Sequence, residues 1–287
     1  MKRTLSIVGA GRVGRALGKR LRERGWRVGA VVTRSAATAR AAVRIIGAGQ
    51  PNARLGLDVL AADLIFITAP DDAIPAIAQS LVDLAGPACR RKIVLHTSAT
   101  LDRSALAPLA RCGASTGSLH PMQAFGGKII PNLRGMIFAV EGDPKARRLA
   151  YSLAKSLGGV PIAINTRDKS IYHAAAVIAA GSLYPIIETG SQLLMRIGFT
   201  RTRAAQTLFP LIRQILDNIE RVGPRAAWTG PLSRGDYRIV ARHARALRRH
   251  PREFQQAYAA LSLLAGRTLA RNPSATLKRI QRALAGR

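Results

Sequence analysis

Along the first 165 residues, short, mostly apolar runs alternate with longer stretches whose apolar residues recur every three to four positions. The runs fall at 4–8, 28–33, 64–69, 93–96, 115–119, 136–141 and 160–164. Between them, 12–24, 36–46, 73–84, 102–111 and 144–157 carry the helical spacing. A strand that is apolar at most positions is covered on both faces, so the pattern predicts a doubly wound, mostly parallel α/β sheet. After Asp168 the strand signals stop. Residues 169–197 read as one long alanine-rich helix, apolar around most of its circumference, which implies burial on several sides. Further helices are predicted at 201–221, 236–249, 252–270 and 274–284, punctuated by Gly223-Pro224, the loop 230–235, Pro251 and Asn272-Pro273. The expected division is an α/β domain over 1–165 and an all-α domain over 166–287.

A chain of 287 residues is long enough for two domains with cores of their own, so stability requires no disulfide or metal staple. Cys89 and Cys112 lie far apart and form no CxxC or Cys/His cluster, which predicts reduced thiols and no metal site. The apolar run after Met1 meets Arg12, Arg15, Lys19 and Arg20 too soon for a signal peptide. The longest apolar stretch, 174–187, is shorter than the roughly 20 residues of a membrane span. A soluble cytoplasmic protein is expected. The net charge of +30 rests on 45 basic residues of which only 8 are lysine. An arginine-rich solvated surface accounts for it, and its positive field favours anionic ligands. No aromatic-interleaved basic repeat or zinc finger accompanies the charge, so neither specific nucleic-acid binding nor a membrane partner is expected.

Gly9-Ala10-Gly11-Arg12-Val13-Gly14 follows the first strand and opens the first helix. In that context the first glycine makes a tight turn, the second admits a pyrophosphate close to the backbone, and the third lets helix and strand pack closely. The pattern predicts a Rossmann domain binding a dinucleotide through residues 9–14. Enzymes selective for NAD place an acid at the end of the second strand to bind the ribose 2′-hydroxyl. Thr33-Arg34-Ser35 stands there instead, with no carboxylate before Asp58, which suits the 2′-phosphate of NADP. The strand at 64–69 ends in Thr68-Ala69-Pro70-Asp71-Asp72, where Ala69 and Pro70 should border the cofactor and an aspartate should cap the next helix. Two further strands end in His96-Thr97-Ser98 and His120-Pro121-Met122-Gln123, delivering a histidine each to one sheet edge.

These residues, with Lys169 to Ala176 and Gly230-Pro231-Leu232-Ser233-Arg234-Gly235-Asp236, resemble the Rossmann-like/DUF2520 family, whose helical domain belongs to the 6-phosphogluconate dehydrogenase-like group. The resemblance spans residues 9 to about 243 and implies an NADP-dependent oxidoreductase of unsettled substrate. β-Hydroxyacid dehydrogenases and ketopantoate reductases open their central helix with Lys-x-x-x-Asn, and Lys169-Ser-Ile-Tyr-His173 is similar, with histidine in place of asparagine. The similarity implies Lys169 as proton donor with His173 beside it on one helical face. Prephenate dehydrogenases resemble the chain at His120-Pro121-Met122, implying a bond from His120 to the reacting hydroxyl with Ser98 assisting. Their lysine after that serine is absent here, where Ala99-Thr100-Leu101 stands.

The candidate catalytic residues are therefore Lys169, His120, His173 and Ser98. The candidate substrate contacts are Arg234, held in a stiff loop before the N-cap Asp236, and Gln123. The function expected is NADPH-dependent reduction, or the reverse oxidation, of a small anionic hydroxy, oxo or imino acid, ketopantoate being the nearest guess, in a homodimer joined through the helical domains. The alternative is a non-catalytic NADP-binding redox sensor or scaffold.

Overall fold

The apolar runs lie side by side in one sheet of eight strands, in the order β3-β2-β1-β4-β5-β6-β7-β8. The computed structural model describes residues 3–126 and 129–286. The strands are β1 (Thr4–Val8), β2 (Arg27–Val32), β3 (Gln50–Asn52), β4 (Leu64–Ile67), β5 (Ile93–His96), β6 (Ser115–Pro121), β7 (Ile137–Gly142) and β8 (Val160–Ala163). All neighbouring pairs are parallel except β6 with β7. This is the doubly wound arrangement predicted, with one strand the pattern misses. β3 is a three-residue edge strand containing Pro51, too short and too polar to give a periodic signal.

Both faces of the sheet are covered, as the mostly apolar strands require. Leu5, Ile7, Phe66, Leu95, Leu119 and Val140 point to one face and pack with α1 (Arg12–Glu23), α2 (Ala36–Ile46) and α5 (Pro144–Ser156). Val8, Ile65, Ile67 and Val94 point to the other and pack with α3 (Ile74–Ala85) and α4 (Ala107–Arg111). Burying each such large side chain contributes about 1.5–3 kcal/mol. Caps fix the helix starts: Ser35 accepts from the Thr38 N–H, and Asp143 accepts from those of Lys145 and Ala146. Both cysteines are free, and no group of metal-ligating side chains occurs among the described residues.

The helix expected over 169–197 is built in pieces: α6 (Lys169–Ala176), a five-residue π-helical stretch (Val177–Gly181) and α7 (Leu183–Met195). A π insertion widens the turn and shifts the faces on either side. The chain divides within it into two compact units, Met1–Ala179 and Ala180–Arg287, so α6 belongs with the sheet. The second unit is all helix. In it α7 packs on α8 (Arg201–Ala227), and α9 (Tyr237–Leu247), α10 (Arg252–Thr268) and α11 (Pro273–Ala285) pack together. At Gly223 (φ 78°), ahead of Pro224, α8 leaves helical geometry, as the Gly-Pro pair predicts.

Burial of the long helix on several sides does not hold within the chain. Ile178, Tyr184 and Ile186 are exposed, as are Leu211, Leu216 and Val222 on α8. Counting unbroken apolar residues makes the segment too short for a membrane span, yet the helical run Thr166–Met195 is 30 residues long and passes on length and composition.

Candidate active site and cofactor cradle

The order of strands reverses between β1 and β4, and the crevice beyond their carboxyl ends is where doubly wound sheets bind ligands. Gly9 leaves β1 with φ +84°, so close to β4 that a Cβ there would lie 2.7 Å from the Ala69 nitrogen. A Cβ on Gly14 would lie 2.3 Å from the Thr68 hydroxyl, which itself donates to the Gly9 carbonyl at 2.7 Å. Around Gly11 the space is open, the nearest atom to a Cβ being the Gly9 oxygen at 3.8 Å. Gly11 caps α1 without a side chain, and no acid stands in the first turn, so the free N–H groups of that turn face an unobstructed cradle. Ala10 and Val13 are packed inward and offer backbone only, while Arg12 is exposed. These features fit a pyrophosphate.

At the end of β2, Thr33 and Ser35 are engaged locally. Thr33 Oγ1 donates to the Ser35 carbonyl at 2.9 Å, and Ser35 caps α2. Arg34 between them is exposed and has no partner among the described residues.

Further along the same edge, strand register assembles a polar row. His96 on β5 lies opposite Ser118 on β6, which lies opposite Glu141 on β7. All three are buried. Lys169, the first residue of α6 and only 2% exposed, donates from Nζ to Ser118 Oγ at 2.8 Å. Burial pushes the Lys169 pKa down, opposed by Glu141, Asp102 and Asp71. Burial pushes the Glu141 carboxyl up, against the pull of Lys169 and of the Arg103 N–H that bonds it at 2.9 Å. Ser98 N–H donates to His96 Nδ1, so Nε2 carries the proton and donates to the Asp102 carbonyl at 3.0 Å. Burial, then Lys169, hold His96 down to about 4. His96 is thus a neutral, fully bonded strut.

His120 is two residues beyond Ser118, hence on the same face of β6. Its Nδ1 lies 3.1 Å from the Tyr172 hydroxyl, the rings meeting edge to face. Burial, then His173 and Lys169, hold His120 down to about 4, and burial pushes Tyr172 up to about 12. His173 Nδ1 is sealed from solvent without a partner. Ser98 donates to Asp71 at 2.7 Å and accepts from the Thr100 and Leu101 N–H groups. Its hydroxyl is saturated, which suits a turn anchor. Asp71 also accepts from Thr100 Oγ1 and caps no helix with its side chain, so the N-cap reading gives way to this bond pair.

Lys169, His120, His173 and Ser98 all belong to the first compact unit, whereas Arg234 belongs to the second. Arg234 is exposed in its loop, and Asp236 caps α9 through the Ile239 N–H as predicted. Gln123 is exposed, its side-chain oxygen accepting from the Ala124 N–H. Sequence reasoning misses Ser118, Glu141 and Tyr172. Tyr172 sits three residues after Lys169 on the same helical face, a legible signal. Ser118 and Glu141 become partners only through strand register.

Residues 1–121 match the Rossmann-like domain, and residues 136–265 match the domain of unknown function DUF2520. The chain pairs a Rossmann-like domain with a DUF2520 domain. Ser118 and His120 come from the Rossmann-like segment, and Glu141, Lys169 and Tyr172 from the DUF2520 segment, so the polar cluster straddles the seam between the two families. Comparison with curated protein sequences finds no match. Among solved structures, a Bacteroides fragilis protein assigned as an NADP oxidoreductase is similar with TM-score 0.75 and 19% identity, over 96% of this chain and 98% of that one. A reductive aminase from Aspergillus terreus, solved with NADPH and ethyl-5-oxohexanoate, gives 0.68 and 18% over 96% and 98%. A 1-pyrroline-5-carboxylate reductase from Streptococcus pyogenes gives 0.59 and 15% over 98% of each chain. At these identities the likeness is one of fold.

Proposed function

We propose that this Rossmann-like/DUF2520 protein is a cytoplasmic NADP(H)-dependent oxidoreductase that acts on a small anionic oxo, hydroxy or imino acid. The observation that carries the reading is the meeting, on one sheet edge, of an open glycine cradle with a cluster of proton-holding side chains. The N–H groups of the α1 first turn hold the pyrophosphate, and Arg34 grips the 2′-phosphate. When bound, the nicotinamide supplies or accepts the hydride. His120 and Tyr172 hold the proton for the substrate oxygen or nitrogen, and the buried Lys169 charge lies behind them. Gln123, just beyond the end of β6, is the candidate carboxylate contact. The similar structures named as reductive aminase and pyrroline-5-carboxylate reductase agree with a reductase on this fold. A sensor or scaffold has no use for such a proton-holding cluster, which disfavours the non-catalytic alternative.

The exposed apolar faces of α7 and α8 fit a second copy of the chain better than a bilayer. Lys169, near the start of the run, is buried against Ser118, and Glu188 within it pairs with Arg201 at 3.2 Å. The test of the reading is NADPH consumption, followed at 340 nm, across a panel of 2-oxo acids and cyclic imino acids. Turnover of at least one member, weakened on crowding the cradle with Gly11→Ala, supports it. NADPH binding with no turnover on any member favours the sensor.

A further inference from the structure

The hydrogen bond between His120 and Tyr172 has a direction that its chemistry decides. Burial keeps both groups neutral through the physiological range. Among neutral partners, an imidazole nitrogen is a far better acceptor than a phenol oxygen, and a phenol O–H is the better donor. Tyr172 therefore donates to Nδ1 at 3.1 Å, which leaves the ring proton on Nε2. The sealed, unpartnered polar atoms among the described residues are Arg20 Nε and His173 Nδ1. His120 is half-buried and its Nε2 bonds no described residue, which leaves that N–H available to a ligand. Lys169 is the opposite case: it is enclosed and its Nζ is committed to Ser118.

We infer that Tyr172 and His120 form a two-residue proton relay, in which His120 Nε2–H meets the substrate and the Tyr172 hydroxyl is the source of the proton. The inference deepens the oxidoreductase reading and rests on it. A neutral imidazole cannot release its Nε2 proton without gaining one at Nδ1, or it becomes an imidazolate. With hydride that the bound cofactor would supply to the carbonyl or imine carbon, His120 gives its Nε2 proton to the substrate oxygen or nitrogen. The Nδ1 lone pair takes the phenol proton as the O–H bond breaks; the ring then returns that proton to the phenolate as Nε2 takes one from water, which restores both starting forms. The charged and titratable groups acting on His120 come from several elements. They are His173 and Lys169 on α6, Asp71 after β4, and His96 on β5; Asp71 alone favours protonation. A histidine kept neutral by its surroundings serves as a relay and not as a stored acid. Lys169, enclosed behind the pair, is then a positioning charge.

The test is nitrogen-15 NMR of the histidine side chains in the full chain, at pH 7 and during acid titration. The expected spectrum shows His120 as the neutral Nε2–H form, changing to a mixture of tautomers in Tyr172→Phe. His96, locked in the same form by Ser98 and Asp102, reports in each sample that the fold is intact. A wild-type Nδ1–H form, or a tautomer untouched by Tyr172→Phe, overturns the relay. The wild-type spectrum decides even if the variant fails to fold. Adding NADPH to the same samples separates the two layers of the argument. Binding with an Nδ1–H ring overturns the relay alone, whereas an Nε2–H ring without any NADPH binding overturns the oxidoreductase reading beneath it.

Discussion

Lys169 Nζ donates to Ser118 Oγ at 2.8 Å, and this one bond ties the first turn of α6 to the centre of β6. It also places a cation in the pocket where Glu141, directly opposite Ser118, is buried.

Removing that cation strands the carboxylate. Lys169→Met is expected to destabilise the protein by roughly 2–3 kcal/mol, the usual cost of an unsatisfied buried group. It should also drive the Glu141 carboxyl further up, because the charge that opposes its desolvation is gone. Adding Glu141→Gln should recover part of the loss. Urea unfolding of the single and double variants checks this, and an additive double variant contradicts the coupling. NADPH affinity should be unchanged, since the cradle is at Gly9–Gly14.

The cradle glycines should separate into two kinds. Gly14→Ala drives a Cβ into Thr68 Oγ1 and is expected to cost about 1–3 kcal/mol of stability along with cofactor binding. Gly11→Ala meets open space at an ordinary φ of −72° and should leave stability within about 1 kcal/mol. NADPH binding should nevertheless fall at least tenfold, because the new methyl occupies the approach of the pyrophosphate. Paired melting curves and fluorescence titrations distinguish the two.

What could be read from the sequence follows from which physics is local. Gly9, Gly11 and Gly14 announce their roles by spacing alone, and the apolar runs mark seven of the eight strands because two-sided burial leaves few polar interruptions. The row His96–Ser118–Glu141 is invisible because each member, read along its own strand, gives no sign of its partners. It exists only in the register of β5, β6 and β7. The exposed flank of the long helix was equally illegible. An all-round apolar helix implies burial somewhere, and the sequence cannot say whether its cover comes from the same chain.

Acid should unfold the protein early. His96 is held near 4 in the folded chain against 6.5 when free, so between those values the unfolded state binds the extra proton. Stability is complete above about pH 6.5 and falls as the pH is lowered toward 4, by on the order of 3 kcal/mol from this one group. His120 adds to the loss in the same direction. Denaturant midpoints measured from pH 7 to 4 should show the slope, and His96→Gln should flatten it. An unchanged slope in that variant contradicts the assignment.

Self-association through the helical unit is the expected fate of the exposed side chains on α7 and α8. Light scattering at micromolar concentration should return a homodimer. Leu211→Glu with Leu216→Glu, both on the exposed face of α8, should yield a folded monomer with unchanged circular dichroism. A wild-type monomer contradicts the reading.

The central claim is that the cradle between β1 and β4 binds NADP(H) with Arg34 on the 2′-phosphate, and a fluorescence titration with both reduced cofactors tests it most directly. The predicted result is one NADPH per chain, bound at least tenfold more tightly than NADH, with Arg34→Asp erasing the preference while the melting temperature holds. Equal affinities for the two cofactors, or a preference that survives Arg34→Asp, contradicts the account.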